Sequence, residues 1–257
     1  MKAILNDLTR CIGCQECVRA CKEHNHLPPD RPWPWLKRID DLSTARWTTI
    51  RRLATPQGER YLRRMCHHCL EPECVSVCIV GALEKTPQGP VIYHKDICIG
   101  CRYCMIACPW TIPRYSWEEA VPFVQKCDMC HSRVASGKGI PACVEACPVA
   151  ATEYGERETL LAEARRRLRT EPRRYRQRIW GEKEVGGTSV LFIGDTELHL
   201  TDLKPEIEER DPLPERTTRI LHKTPWLFTA MGCLMGAAWW FVHRRRRVQE
   251  EEGDHAG

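Results

Sequence analysis

Residues 11–21 read CIGCQECVRAC and residues 98–108 read CIGCRYCMIAC. Seven of the eleven positions are identical, and in both copies three cysteines recur at every third residue while the fourth stands one residue further off. The first copy supplies Cys11, Cys14, Cys17 and Cys21, and the second supplies Cys98, Cys101, Cys104 and Cys108. Outward from these, Cys66, Cys69, Cys74 and Cys78 form a further group. Cys127, Cys130, Cys143 and Cys147 form the last, stretched by a twelve-residue loop. Sixteen of the 17 cysteines thus fall into four fours, and only Cys233 stands apart.

Disulfides, zinc and iron–sulfur clusters compete for such a pattern. Disulfides fit poorly, because cysteines two or three residues apart would each need a separately placed distant partner. The cysteine count is odd, and the start MKAILNDLTR offers no apolar leader of the kind that takes a chain to an oxidising compartment. Zinc accounts for CxxC pairs and leaves a zinc-stabilised docking scaffold as the alternative. Three thiolates around one CxxCxxC turn suit a cubane better than one small tetrahedral ion. The run C-x2-C-x2-C-x3-C-P is the bacterial ferredoxin pattern, in which the fourth cysteine serves the other cluster of a pair. A phrase of that kind has to be written twice. Proline follows at Cys108-Pro109 and Cys147-Pro148, whereas Ile79 follows Cys78 and Lys22 follows Cys21. A proline there turns the chain without a competing N–H, so its absence removes no ligand.

The stretches MCHHCLEPECVSVC, IGCRYCMIACPW, KCDMC and GIPACVEACPVAA resemble the four-cluster iron–sulfur subunits of membrane-bound respiratory oxidoreductases, of hydrogenase-linked, formate dehydrogenase and dimethyl sulfoxide reductase types. The resemblance spans residues 5 to 195 and is weaker between the cysteine groups, as in PWPWLKRIDD; GEKEVGGTSVLFI is similar to the hydrogenase-linked and formate dehydrogenase branches. It implies an α+β fold of two ferredoxin-like double 4Fe-4S units and four 4Fe-4S clusters. Cys11, Cys14 and Cys17 would share one with Cys147, and Cys127, Cys130 and Cys143 a second with Cys21. Cys66, Cys69 and Cys74 would take Cys108, while Cys98, Cys101 and Cys104 would take Cys78. The implied partners are a catalytic oxidoreductase subunit, a hydrogenase or a formate dehydrogenase or other molybdenum enzyme of anaerobic respiration, and an integral membrane subunit that is quinone-linked or carries haem b.

A cluster held by four thiolates has no open iron, so it passes electrons and transforms nothing. No phosphate-binding GxGxxG loop, flavin motif or paired-carboxylate site accompanies the cysteines. The expected role is therefore a non-catalytic electron-transfer subunit. His67 and His68, inside the second group, are expected to pack or hydrogen-bond beside a cluster rather than to ligate it or carry protons. Ile12, Gly13, Ile99, Gly100, Val144 and Ala146, between ligands, suit exclusion of water and close backbone approach.

The same reading divides the chain into successive parts. Residues 1–65 are the first half of an outer ferredoxin-like unit, with a Trp- and Pro-rich insertion whose PPDRPWPW is expected to be extended. Residues 66–120 are an inner double-cluster unit, in which VIYHKD at 91–96 reads as a short strand leading into the third group. Residues 121–200 complete the outer unit with an amphipathic helix over Glu158–Arg169, its apolar face Leu160, Leu161, Ala164 and Leu168, and a strand at 188–193. Arg173, Arg174, Arg176 and Arg178 read as a solvated basic face. Residues 201–224 are a linker and 243–257 a charged tail.

Between them, residues 225–242, PWLFTAMGCLMGAAWWFV, are eighteen residues without a charge. That is long enough to span a bilayer, with Trp226, Trp239 and Trp240 at interfacial depths. Gly232 and Gly236 would admit a neighbouring helix, and Cys233 is a packing residue. Arg244 to Arg247 after the span are balanced by Arg210, Arg216, Arg219 and Lys223 before it. No twin-arginine signal opens the chain. The formate dehydrogenase-like layout, exported with a signal-bearing partner, tips the expectation to a single-pass protein of the bacterial inner membrane with its cluster domain in the periplasm and lipid around its last helix. A net charge of +5 gives no reason to expect nucleic acid as a partner.

Overall fold

The computed structural model describes residues 1–30, 42–117, 123–137, 139–198, 214 and 221–254, so most of PPDRPWPW and nearly all of the expected linker lie outside the described residues. The chain divides into two units, residues 1–213 and 214–257.

In the first unit, β1 (Lys2–Asp7) is the centre of a three-stranded sheet, paired antiparallel with β8 (Thr152–Glu156) and parallel with β9 (Val190–Ile193). Alternation along β1 sends its side chains to two different cores. Ala3 and Leu5 pack with Leu191 and Ile193 under helix α6 (Arg157–Thr170), which contributes Leu160, Leu161, Ala164 and Leu168. The expected apolar face is therefore the buried one, each leucine contributing about 1.5–3 kcal/mol. Ile4, Val190 and Phe192 face the opposite way, into the largest apolar cluster. Its other members include Trp110, Trp180 and the ligand candidates Cys66, Cys69, Cys108, Cys127 and Cys143. Cysteines thus occupy ground that an ordinary domain fills with aliphatic side chains.

The first unit also holds α1 (Glu16–His24), α4 (His131–Val134) and α5 (Ala142–Glu145). Its hairpin of β2 (Thr49–Thr55) and β3 (Gly58–Arg64) turns at Pro56 and Gln57. This hairpin lies in the stretch expected to be an insertion, where PQG after alternating residues was the only local cue. The same unit holds α2 (Glu73–Ser76) and α3 (Tyr103–Ala107), with hairpins β4 (Leu83–Lys85) with β5 (Val91–Tyr93) and β6 (Arg114–Tyr115) with β7 (Val124–Gln125). The strand expected within VIYHKD ends at Tyr93, and a short 3-10 turn over Lys95–Ile97 leads into Cys98.

The second unit is one helix, α7 (Thr224–Asp254). An eighteen-residue window within Thr224–Val248 has a mean hydropathy of 1.3 and none of it is buried. Eighteen residues rise about 27 Å, close to a hydrocarbon core of about 30 Å. Arg244 lies over the Trp240 ring at 5.2 Å, and Trp239 stacks on His243.

Candidate metal centres

The repeated phrase folds the same way twice. Gly13 and Gly100 take φ of 71° and 68°, and Gln15 and Arg102 take 62° and 66° directly before α1 and α3. Two left-handed residues per copy curl each CxxCxxC so that its thiols converge. A Cβ on Gly13 would lie 2.5 Å from the Tyr61 ring of β3, so this loop and the hairpin fit only with glycine.

All seventeen cysteines are free. Cys11 lies within electrostatic reach of Cys14 and Cys147, and Cys17 of Cys11 and Cys14. One cavity is rimmed by Cys11, Cys14, Cys17 and Cys147. Cys21 neighbours Cys143 and Cys130, and Cys127 neighbours Cys21 and Cys143. Cys108 neighbours Cys69 and Cys66, and Cys74 neighbours Cys66 and Cys108. Cys104 neighbours Cys98, Cys101 and Cys78, and these four rim a second cavity. Three links join the sets: Cys17 to Cys143, Cys127 to Cys66, and Cys74 to Cys104.

Burial pushes the thiols up, and neighbouring thiols add to it. Cys21, Cys69 and Cys108 rise to about 12, and Cys104 and Cys130 to about 11. Such groups ionise together only around a cation that replaces their protons.

The donor chemistry fits a cubane. Every set is all-sulfur, the donor chemistry of an iron–sulfur cluster, and backbone and side-chain N–H donors stand beside the sulfurs. Ala82 N–H donates to Cys78 Sγ at 3.1 Å and Ala151 N–H to Cys147 Sγ at 3.2 Å. Both donors stand four residues beyond a displaced fourth cysteine. Met129 N–H reaches Cys127 Sγ at 3.3 Å, and Trp110 Nε1–H reaches Cys69 Sγ at 3.1 Å.

His67 stacks on Trp110 at 4.3 Å, and burial, with Arg64 adding, lowers it to about 3. His68 Nδ1 accepts from Val91 N–H at 2.9 Å, which leaves the proton on Nε2. Burial, then Lys126 and Lys85, holds its pKa far below the ordinary histidine value. Both rings are neutral, and both pack as expected. Ile12 and Ile99 are exposed, at 57% and 61%, so neither is buried in the way that exclusion of water would need.

Three contributions escaped sequence reasoning. The segment 187–189 pairs with the second group: Leu70 N–H donates to Gly187 O, Ser189 N–H to His67 O, and Cys69 bridges Thr188. Buried Glu184 ties off the loop before it, accepting from Gly181 N–H at 2.7 Å and Arg178 Nη2 at 3.0 Å. Two cations line the sets, Lys126 buried and Lys85 half-buried. Lys126 Nζ donates to Val91 O and Cys127 O, and Lys85 Nζ to His68 O and Gly89 O.

The family model described as a 4Fe-4S dicluster domain matches residues 59–157. A protein of Nitratidesulfovibrio vulgaris is 36% identical over 261 residues, covering 97% of this sequence and 69% of its own length. Hydrogenase-2 operon protein HybA of Escherichia coli O157:H7 is 36% identical over 244 residues, 80% of this sequence and 73% of HybA. A subunit of the anaerobic dimethyl sulfoxide reductase of Escherichia coli K12 is 39% identical over 150 residues, 58% of this sequence and 70% of that subunit.

Proposed function

The protein belongs to the family of 4Fe-4S iron–sulfur proteins of membrane-bound oxidoreductases that includes HybA and the dimethyl sulfoxide reductase subunit, and on that premise we propose that it relays electrons through four clusters between a catalytic subunit and a membrane subunit. The observation that supports the reading is that each thiol group adjoins another. Cys104, which neighbours Cys98, Cys101 and Cys78, reaches Cys74 of the second group; Cys66 of that group reaches Cys127 of the fourth; and Cys143 of the fourth reaches Cys17 of the first. Each set supplies four thiolates to one 4Fe-4S cluster, and a cluster so saturated conducts without binding substrate. The protein's own residues hold the thiolates, exclude water and supply N–H donors.

The likeness to HybA runs over 80% of the sequence, against 58% for the reductase subunit, which favours a hydrogenase as the catalytic partner. Helix α7 spans the membrane beside a quinone-linked or haem b subunit, with the cluster unit on the periplasmic side of the bacterial inner membrane.

The test is turnover of the intact complex. Cys14→Ala and Cys101→Ala are each expected to cut substrate-to-quinone electron transfer more than about tenfold, while the catalytic subunit still reduces a dye that accepts electrons from it directly. Full turnover to quinone in both variants would overturn the reading, and zinc without acid-labile sulfide in the purified protein would return it to the scaffold alternative.

A further inference from the structure

Arg63, the second-to-last residue of β3, is 5% exposed. Two hydroxyls hold its guanidinium: Nε donates to Thr48 Oγ1 at 3.1 Å and Nη1 to Thr152 Oγ1 at 3.3 Å. The third nitrogen, Nη2, is buried and has no hydrogen-bond partner. Among the described residues no carboxylate pairs with this side chain, in contrast to Arg167, which meets Glu153, Glu163 and Asp7. A guanidinium stays protonated in proteins, so a buried one needs a counter-charge.

What surrounds Arg63 is sulfur. Burial opposes its charge, whereas Cys143, near enough to hydrogen-bond it, with Cys17 and Cys127, favours that charge once these sulfurs are negative. Cys11 and Cys21 feel the same cation in return. Arg63 also lines the cavity rimmed by Cys11, Cys14, Cys17 and Cys147. Protonated thiols carry no charge to balance it, whereas a thiolate-ligated cluster is anionic. Thr48 and Thr152 fix the fork, and the free N–H is left for the clusters.

We propose that Arg63 is a built-in counter-charge shared by the clusters of the first and fourth cysteine groups, with Nη2–H donating to a cluster or cysteine sulfur, and that it raises the reduction potential of both. This rests on the iron–sulfur reading above. A fixed positive charge stabilises the reduced cluster, which is one unit more negative, over the oxidised one, and low local polarity extends its effect. Arg63 acts on Cys11, Cys17 and Cys21, whereas the cations that act on Cys69 and Cys74 of the second group are Lys85 and Lys126, so its effect is greatest at the clusters of the first and fourth groups.

The experiment is an anaerobic redox titration of the full-length protein in its complex, followed by electron paramagnetic resonance, for the unsubstituted protein, Arg63→Lys and Arg63→Gln. In Arg63→Gln two midpoints are expected to fall by about 59 mV or more, a tenfold loss in the reduced-to-oxidised ratio at fixed potential. The other two are expected to hold, and Arg63→Lys to show the smaller fall. Four unchanged midpoints with full iron content in Arg63→Gln would overturn the proposal. If that variant sheds iron, ¹⁵N-arginine labelling decides: a nitrogen coupling to a reduced cluster, present in the unsubstituted protein and lost in Arg63→Lys, is expected, and its absence from the unsubstituted protein overturns the proposal. Iron and sulfide content of the unsubstituted protein tests the iron–sulfur reading separately.

Discussion

Trp110 serves packing and redox chemistry with one side chain. It is 2% exposed, stacks on His67 and directs Nε1–H to Cys69 Sγ. A donor to a ligand sulfur favours the more negative, reduced cluster. Trp110→Phe keeps most of the ring and removes the donor. It is expected to lower the midpoint of the cluster bound by Cys69 by about 40 mV, the one-electron equivalent of a net hydrogen bond of about 1 kcal/mol. A redox titration of the variant checks this, and an unchanged midpoint would make Trp110 a packing residue only.

At the scale of elements, α6 has the apolar face that its spacing predicts, but its polar face is not simply solvated. Arg167 is buried in the helix's last turn, where Nη2 meets Glu153 of β8 at 2.7 Å and Nε meets Glu163 at 2.7 Å. Nη1 lies 3.7 Å from Asp7, whose carboxylate also accepts the Tyr175 hydroxyl at 2.7 Å. One guanidinium thereby ties α6 to both β1 and β8. Removing a partner from a buried network costs about 3–5 kcal/mol in general. Glu153 and Glu163 keep 28% exposure, so Arg167→Ala is expected to destabilise the holoprotein by about 3 kcal/mol, the lower end of that range. A fall in the urea midpoint at unchanged slope would report it. The arginines that follow differ again: Arg174 pairs with Glu171, and Arg178 with Glu184 and Glu197.

At the scale of the molecule, the proposed ligand sets join residues as far apart as Cys11 and Cys147, so on that reading cluster assembly and folding of the first unit are one event. Because burial and mutual repulsion raise the thiols to about 11–12, they are protonated in the metal-free fold at neutral pH. Each gives up a proton when it becomes a ligand. Cluster affinity therefore climbs with pH throughout the range below about 11, up to about tenfold per pH unit for each such thiol. Chelator-driven iron loss should be faster at pH 6 than at pH 8, and loss independent of pH would contradict the raised thiols.

Whatever depends on short separations was legible in the order of the amino acids. Ligand spacing pointed to the kind of cofactor, a 3.6-residue period found α6, and a run without charge found α7. The repeat of CIGC folds the same way twice, with left-handed glycines at Gly13 and Gly100. The surroundings of the ligands were settled by the tertiary fold, because neighbours about a hundred residues apart share no period. Arg63 stands in the run YLRR, which reads as an exposed basic edge, yet Leu62, Arg63 and Arg64 are all buried and break the alternation of β3. Thr48 and Thr152 look like ordinary strand residues until β3 and β8 bring both to one guanidinium. A buried cation becomes tolerable once the fold sets it among groups that carry negative charge, and that condition is met in space rather than along the chain.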